Sequence, residues 1–312
     1  MNKVGITGGG GFIGSWVIDE LKSRGYEPVI FDHHDRREEH HKDTELFIGD
    51  VRDDVAMTEF AAHVDGIIHL AAVLGTQETI KNPRPAAISN LQGGLNFLEA
   101  VAQYDLPGVY ICVGNHWMNN TYSITKTMIE RFVWMFNKDR GTRVNSVRAV
   151  NAYGERQLAA EPFAHGKVRK ITPAFVCRAL SGMPIEVYGD GEQVSDMVYV
   201  GDVAKALVTA LEKADEGIVF DKVVEVGLGD KRTVNEVAET INRLSGNETG
   251  IKHLPMRPGE TPGSVVSADA TTLELVDMKV EDMVGLEEGM TRTVKYFKET
   301  EGDKWHIAAT ES

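Results

Sequence analysis

The sequence predicts an α/β fold, a doubly wound parallel sheet with a smaller C-terminal lobe. Three observations lead there. Short apolar runs alternate with longer stretches of helical periodicity through the first 150 residues, a glycine-rich turn joins the first run to the first helix, and the alternation loosens afterwards. Such alternation buries a parallel sheet on both faces, and right-handed crossovers leave few topologies. The sheet domain is expected over residues 1–165, with returns near 198–226, and the second lobe over 166–312.

The elements follow in order. Residues 4–7 form an apolar strand, and 12–24 show helical spacing that stops at Gly25. A second strand covers 28–32, followed by a charged loop to Asp43. Strands at 46–48 and 66–70 flank a helix at 55–62. A long helix over 85–104, a strand at 109–113, a helix over 121–138 and a strand at 143–148 complete the alternation. Beyond it, extended pieces are expected at 185–188, 197–200 and 251–254, with helices at 173–181, 203–214 and 233–244. The last of these helices opens on Thr233-Val-Asn-Glu236, the spacing of a capping box. Residues 223–226 read as one more strand of the main sheet, and the charged stretch 299–312 as peripheral.

Composition narrows the function. The chain has 312 residues, 42% hydrophobic and 26% charged, with a formal net charge of −14. That is enough chain for a sizeable core, and an acidic surface without a basic block argues against nucleic acid and against anionic membranes. No apolar run is long enough to cross a bilayer and no signal-like segment opens the chain. Cys112 and Cys177 lie in apolar stretches and read as buried thiols. A cytoplasmic protein is the expectation. His33, His34, His40 and His41 share the charged loop without a convincing metal-ligand spacing, so no metal is expected.

Gly8, Gly11 and Gly14 sit between the first strand and the first helix. Glycines at this spacing allow a tight turn, a close approach to a pyrophosphate and close helix–sheet packing. The helix start, with Phe12 and Ile13, supplies free amides. Asp32 ends the second strand, where a carboxylate accepts both hydroxyls of an adenosine ribose and repels a 2′-phosphate; NAD over NADP follows. Arg36 and Arg37 offer a competing phosphate contact if the loop folds back. After the third strand, Asp50 is placed either to accept from an adenine amino group or to cap the next helix.

Tyr122-Ser-Ile-Thr-Lys126 opens a helix, so Tyr122 and Lys126 share a face. A cation beside a phenol lowers its pKa and suits it to proton transfer. The pair alone is a weak signal; its place downstream of a dinucleotide turn strengthens it.

At this point the chain resembles the extended short-chain dehydrogenase/reductases, in particular the NAD-dependent nucleotide-sugar epimerase/dehydratase group, of UDP-glucose 4-epimerase type. The resemblance spans nearly the whole sequence. It rests on Gly8 to Gly14, Gly49 to Asp53, His69-Leu-Ala-Ala72, 90–100, Tyr122 to Lys126, Arg148 to Gly154, Val187 to Gln193, Asp196 to Asp202, Arg257-Pro-Gly-Glu260 and 286–293. It implies a Rossmann-type sheet whose NAD contacts include His33, Asp50, Val51, Leu70, Ala71 and Ala72. Tyr122 becomes the acid/base on a sugar hydroxyl, and Lys126 the partner of the nicotinamide ribose. The smaller lobe becomes the nucleotide-diphosphate-sugar site, with Asn151, Arg178, Val187, Tyr188 and Arg257 in contact. A homodimer through helices 85–104 and 121–138 is implied as well, with the Met128, Phe132, Trp134, Met135 and Phe136 cluster partly at that contact.

Two departures matter. The segment between the fifth strand and Tyr122 is short, and the family's Ser/Thr hydroxyl position falls on Gly114. Cys112, Asn115, His116 and Thr121 are the substitutes at hand; Thr121 alternatively caps the helix. Ser195 stands where the family commonly has Arg, with Arg178, Arg169 or Lys170 available to compensate. The expected reaction is epimerisation through a transient 4-keto sugar. A dehydratase is the first alternative, although Gly114-Asn115-His116 lacks the family's Asp-Glu pair. A net oxidoreductase and a non-catalytic sugar-nucleotide binder follow.

Overall fold

A computed structural model describes residues 1–160, 163 and 168–300. The chain forms two units. The first comprises Met1–Ala149, Val200–Val226 and Asp269–Asp282; the second comprises Val150–Tyr199, Gly227–Ala268 and the described residues from Met283 onward.

The first unit begins with β1 (Lys3–Thr7), α1 (Phe12–Ser23), β2 (Glu27–Asp32), β3 (Glu45–Ile48), α2 (Asp54–Ala61), β4 (Gly66–His69), α3 (Thr76–Lys81), α4 (Pro83–Tyr104), β5 (Pro107–Val113), α5 (Thr121–Arg140) and β6 (Arg143–Ala149). The chain then builds β7 (Asn151–Tyr153), α6 (Ile171–Leu180), β8 (Ile185–Tyr188), β9 (Val194–Ser195) and β10 (Met197–Tyr199) of the second unit. It rejoins the first with α7 (Val200–Asp215) and β11 (Val224–Val226). Next come α8 (Val234–Ser245), β12 (Ile251–Leu254), β13 (Val265–Val266) and finally α9 (Leu286–Thr300).

Seven strands of the first unit form one all-parallel sheet in the order β11-β6-β5-β4-β1-β2-β3. This is the expected doubly wound sheet, with Val224–Val226 of the anticipated 223–226 stretch forming its edge strand β11. The strand order reverses at β1, so the C-terminal ends of β1 and β4 flank the switch point where such sheets bind ligands. Both faces are covered, and the strands accordingly read as continuous apolar runs: Val29, Ile30, Phe31, Ile67 and Ile68 are fully buried. On one face Phe31 and Phe60 pack at 4.9 Å between ring centroids, in a core shared with Phe97, Tyr110, Ile129 and Phe136. Gly94 of α4 lies where a Cβ would stand 2.6 Å from Ile129 of α5, so only glycine permits this close helix pairing.

In the second unit three two-stranded parallel pieces, β7 with β10, β8 with β12 and β9 with β13, accompany α6, α8 and α9. The expected capping box is present: Thr233 accepts from the Glu236 amide while Glu236 accepts from the Thr233 amide. The buried Asp196 carboxylate organises the loops, accepting from the amides of Leu228, Gly229 and Ala268 at 3.1, 2.9 and 3.0 Å.

The structure also holds elements the pattern did not announce. β7, β9 and β13 are too short to carry a period. α3 is a six-residue polar helix, held because Thr79 donates to the Gly75 carbonyl at 2.6 Å and accepts from the Tyr122 amide at 3.3 Å. α9 extends the 286–293 stretch to Thr300. The remainder of the expected peripheral tail, 301–312, lies outside the described residues.

Candidate active site

Gly8 adopts φ +70°, a left-handed conformation, and a Cβ there would meet the Ala71 backbone at 3.0 Å. Gly14 is stricter still: a Cβ would stand 2.6 Å from the Gly9 carbonyl oxygen and 2.7 Å from that of Gly8. The glycines therefore bring the turn, the helix and the segment after β4 together. α1 starts at Gly11 without a capping side chain and without an acid in its first turn, which leaves the amides beside the half-buried Phe12 and Ile13 to an incoming anion.

Asp32 closes this end. One carboxylate oxygen accepts from the Gly10 amide at 3.2 Å, and the other from the His33 amide at 2.8 Å and the His33 ring at 2.9 Å. Arg36 reaches the far nitrogen of His33 at 2.9 Å. Arg37 does not wait for a phosphate. Its guanidinium binds Asp35 and donates to the carbonyls of Lys42 and Thr44, stapling the loop to itself. The helix-capping role considered for Asp50 belongs to Asp53, which accepts from the amides of Val55 and Ala56. Asp50 instead chelates Arg52, which holds its carboxyl below the usual range. The Val51 carbonyl accepts from Asn96 at 2.9 Å. After β4, the Leu70 amide donates to the Thr7 carbonyl and the Ala71 amide to the Thr7 hydroxyl. Ala72 follows half-buried, and Asn90 then clasps Val73 through both its amide and its carbonyl.

Asn90 also donates to Thr125 at 3.0 Å, so the segment after β4 is tied to α5 beside Lys126. α5 is capped by Asn120, which accepts from the Ser123 amide; Thr121 is the first helical residue and donates to the Thr79 carbonyl, so it is not the cap. Lys126 is buried, and its ammonium lies 4.0 Å from the centroid of the Tyr110 ring with no hydrogen-bond partner among the described residues. Burial pulls its pKa down to about 8, although Cys112 and Glu130 oppose the shift. Burial likewise pushes the Tyr122 phenol up to about 12. The expected lowering is thus not what the packed fold gives: loss of water around the phenol and the nearby Cys112 both raise it.

The residues before α5 divide clearly. Asn115 is half-buried; its carbonyl oxygen accepts from Ser123 at 3.3 Å, and its amide faces the Met118 sulfur at 2.9 Å. His116 is exposed, as is Trp117. Cys112 is enclosed, with its thiol pushed well up by burial, which removes it from the candidates for proton transfer. Tyr110 and Thr79 had no distinguishing sequence signal of their own, and Asn90 and Thr125 lay in resembling segments without an assigned role; the sheet register and the helix pairing bring all four here.

In the second unit, Tyr188 is the centre of a cationic cluster. Arg257 lies over its ring at 4.6 Å and Arg169 donates to its hydroxyl at 2.7 Å. Arg257 also pairs with Glu260, while its Nε is buried without a hydrogen-bond partner among the described residues. Arg178 faces inward: it donates to the Pro184 carbonyl and pairs with Glu186, which Arg169 also approaches. Val187 is a fully buried core residue, so its side chain offers a ligand no surface. Asn151 donates to the Asp196 carbonyl at 3.4 Å. Ser195, at the position where the resembling family commonly carries arginine, is buried with its hydroxyl against the Met197 sulfur. Lys170 stands at the start of α6.

The first unit has features that fit an NAD site: a glycine cradle that a Cβ would fill, uncapped helix amides, a carboxylate at the end of β2 and a buried ammonium without a hydrogen-bond partner among the described residues. Comparison with known proteins agrees. The sequence model of the "NAD dependent epimerase/dehydratase family" matches residues 4–118 and 114–227. A putative UDP-glucose 4-epimerase of Methanocaldococcus jannaschii is 29% identical, with 94% of this chain and 97% of that protein covered. The solved structure of UDP-glucose 4-epimerase from Thermotoga maritima with UDP-glucose is 26% identical and superposes with a TM-score of 0.85, over 96% of this chain and 99% of that one. The Thermus thermophilus UDP-glucose 4-epimerase in complex with NAD is 28% identical with a TM-score of 0.82, over 96% and 99% of the two chains. Among the described residues no helix is long and apolar enough to cross a membrane.

Proposed function

The chain belongs to the NAD dependent epimerase/dehydratase family, and from that premise we propose that it is an NAD-dependent nucleotide-sugar epimerase acting through a transient 4-keto sugar. The carrying observation is Tyr122 and Lys126 one turn apart on α5, preceded by Gly114 to Asn120 without a carboxylate. A dehydratase needs an additional acid/base pair to eliminate water, and this segment supplies none.

Bound NAD would supply a reversible hydride acceptor. Gly8, Gly11, Gly14 and the first turn of α1 hold its pyrophosphate, Asp32 its adenosine ribose, and Lys126 its nicotinamide ribose. The loss of Arg37 to its own loop favours NAD over NADP. Tyr122 exchanges a proton with the sugar O4. Lys126 remains mostly cationic at neutral pH and favours the phenolate, against the effect of burial. Asn115 takes the place of the usual hydroxyl: thioether sulfur is a weak acceptor, so its amide is readily given to a sugar oxygen. His116, exposed beside it, is the second polar group of this segment.

Tyr188, Arg257 and Arg169 support the second unit as the nucleotide-diphosphate site, since guanidinium groups match phosphate oxygens and stack on planar rings. Arg169 thereby compensates for Ser195. The exposed Ile88 of α4 and Ile124, Met128 and Met135 of α5 are surfaces for a second copy, giving a homodimer that light scattering would detect.

The test is incubation of purified protein and NAD with UDP-, GDP-, dTDP- and CDP-sugars, with mass-resolved product analysis. An isomer of unchanged mass is expected, together with about a 1,000-fold loss of rate in Tyr122→Phe. A product lighter by one water would replace the epimerase with a dehydratase. Absence of turnover on every sugar nucleotide would overturn the enzymatic reading.

A further inference from the structure

We propose that Asp19, His40 and His41 form a binding site for one divalent transition-metal ion of the Zn2+ type, fastening the loop after β2 to α1. His40 and His41 lie on a single 3-10 turn, Glu39–His41, within that loop, and Asp19 lies on α1. The Nε2 atoms of His41 and His40 are 2.7 and 3.8 Å from the same Asp19 Oδ1, and all three donor atoms fall within 4.8 Å of one another. Tetrahedral zinc with nitrogen and oxygen ligands at ~2.0–2.1 Å spaces its donors roughly 3.4 Å apart. The two measured separations bracket that value, so small side-chain rotations complete the geometry. A plain hydrogen bond from loop to helix needs one imidazole. Here two, with ring centroids 3.9 Å apart, present the same nitrogen to one carboxylate oxygen.

The ligands are held before any ion arrives. His41 is buried; its amide donates to the Glu38 carbonyl and its own carbonyl accepts from the Thr44 amide, both at 2.9 Å. Arg37 closes the same loop through the carbonyls of Lys42 and Thr44, and Lys22 of α1 pairs with Asp43 at 3.0 Å. His40 and Asp19 face solvent, which leaves the fourth coordination position to water. Two imidazoles and one carboxylate are borderline donors that select zinc, cobalt or nickel over magnesium and calcium.

No metal is expected from the sequence, because histidine spacing along one chain segment is uninformative when the third donor arrives from a helix about 20 residues earlier. The inference is independent of the proposed reaction. Full-length protein stripped with a chelator and titrated with ZnCl2 should take up one equivalent at micromolar concentration. Asp19→Asn and His40→Ala, both at surface positions, should each weaken binding by about tenfold or more. His34→Ala, in the same loop but outside the cluster, should change it less than twofold. Co2+ should give the intense visible bands of low-coordinate cobalt in the parent and lose them in His40→Ala. Failure to bind Zn2+, binding unchanged in Asp19→Asn and His40→Ala, or equal loss in His34→Ala would each overturn the site.

Discussion

The Lys126 ammonium lies 4.0 Å from the centroid of the Tyr110 ring, and that ring stacks in turn on His69, which stacks on Phe97. The Tyr110 hydroxyl donates to the Lys126 carbonyl at 3.2 Å. His69 is buried and shares a 2.9 Å hydrogen bond with Thr7; burial and the nearby ammonium hold its pKa well below the usual value. The ammonium thus gains an aromatic face in place of water, and the ring beneath it is fixed by a neutral, packed column. Under the proposed function Tyr110 is a positioning residue, acting on chemistry only through Lys126.

Tyr110→Leu should therefore reduce kcat by about 30-fold, the equivalent of ~2 kcal/mol for a desolvated cation–π contact. Tyr110→Phe keeps the aromatic face and should stay within a few-fold of the parent. A pH–rate profile separates this from a merely structural effect: in Tyr110→Leu the alkaline limb should move to lower pH, because a poorly stabilised ammonium loses its proton earlier.

Lys126 also ties stability to pH. Its folded pKa of about 8 lies below the ordinary 10.5. Below pH 8 both states carry the charge and the folded state bears the full burial cost. Between 8 and 10.5 the unfolded chain binds more protons, so this group's contribution to stability rises with pH and levels off above 10.5. Lys126→Met should accordingly be more stable than the parent at pH 7, by about 1–3 kcal/mol, with the advantage shrinking toward pH 10.5 while activity is lost. Paired urea denaturation curves across this range check it.

Asp32 is buried and has both oxygens engaged with Gly10 and His33. Replacing it by Ala removes the charge that repels a 2′-phosphate and leaves Arg36 nearby. The ratio of NADP to NAD binding should rise about tenfold or more, equivalent to ~1.4 kcal/mol, in direct titrations with each dinucleotide.

Asp196 is the corresponding keystone of the second unit. Asp196→Ala strands the buried amide of Ala268, breaks the partly buried bonds to Leu228 and Gly229, and should cost about 2 kcal/mol or more. Asp196→Asn keeps the shape and one acceptor and should fall between. Denaturant midpoints at neutral pH rank the three proteins.

The sheet, its flanking helices, the glycine turn and the Tyr122–Lys126 pair were legible in the sequence because each is local: period 2 or 3.6, a strand-to-turn-to-helix junction, or one helical turn. The capping box at Thr233 was legible for the same reason. What surrounds those residues was decided by pairing between distant segments. The register of β4 against β5 puts His69 beside Tyr110, and the packing of α4 on α5 brings Asn90 to Thr125. Chain return sets Arg257 on Tyr188, and a loop turned back on α1 sets two histidines at Asp19. The pKa values followed the same division. The i to i+4 spacing announced a phenol and an ammonium on one face, but burial, a property of the packed fold, drove the two protonation equilibria.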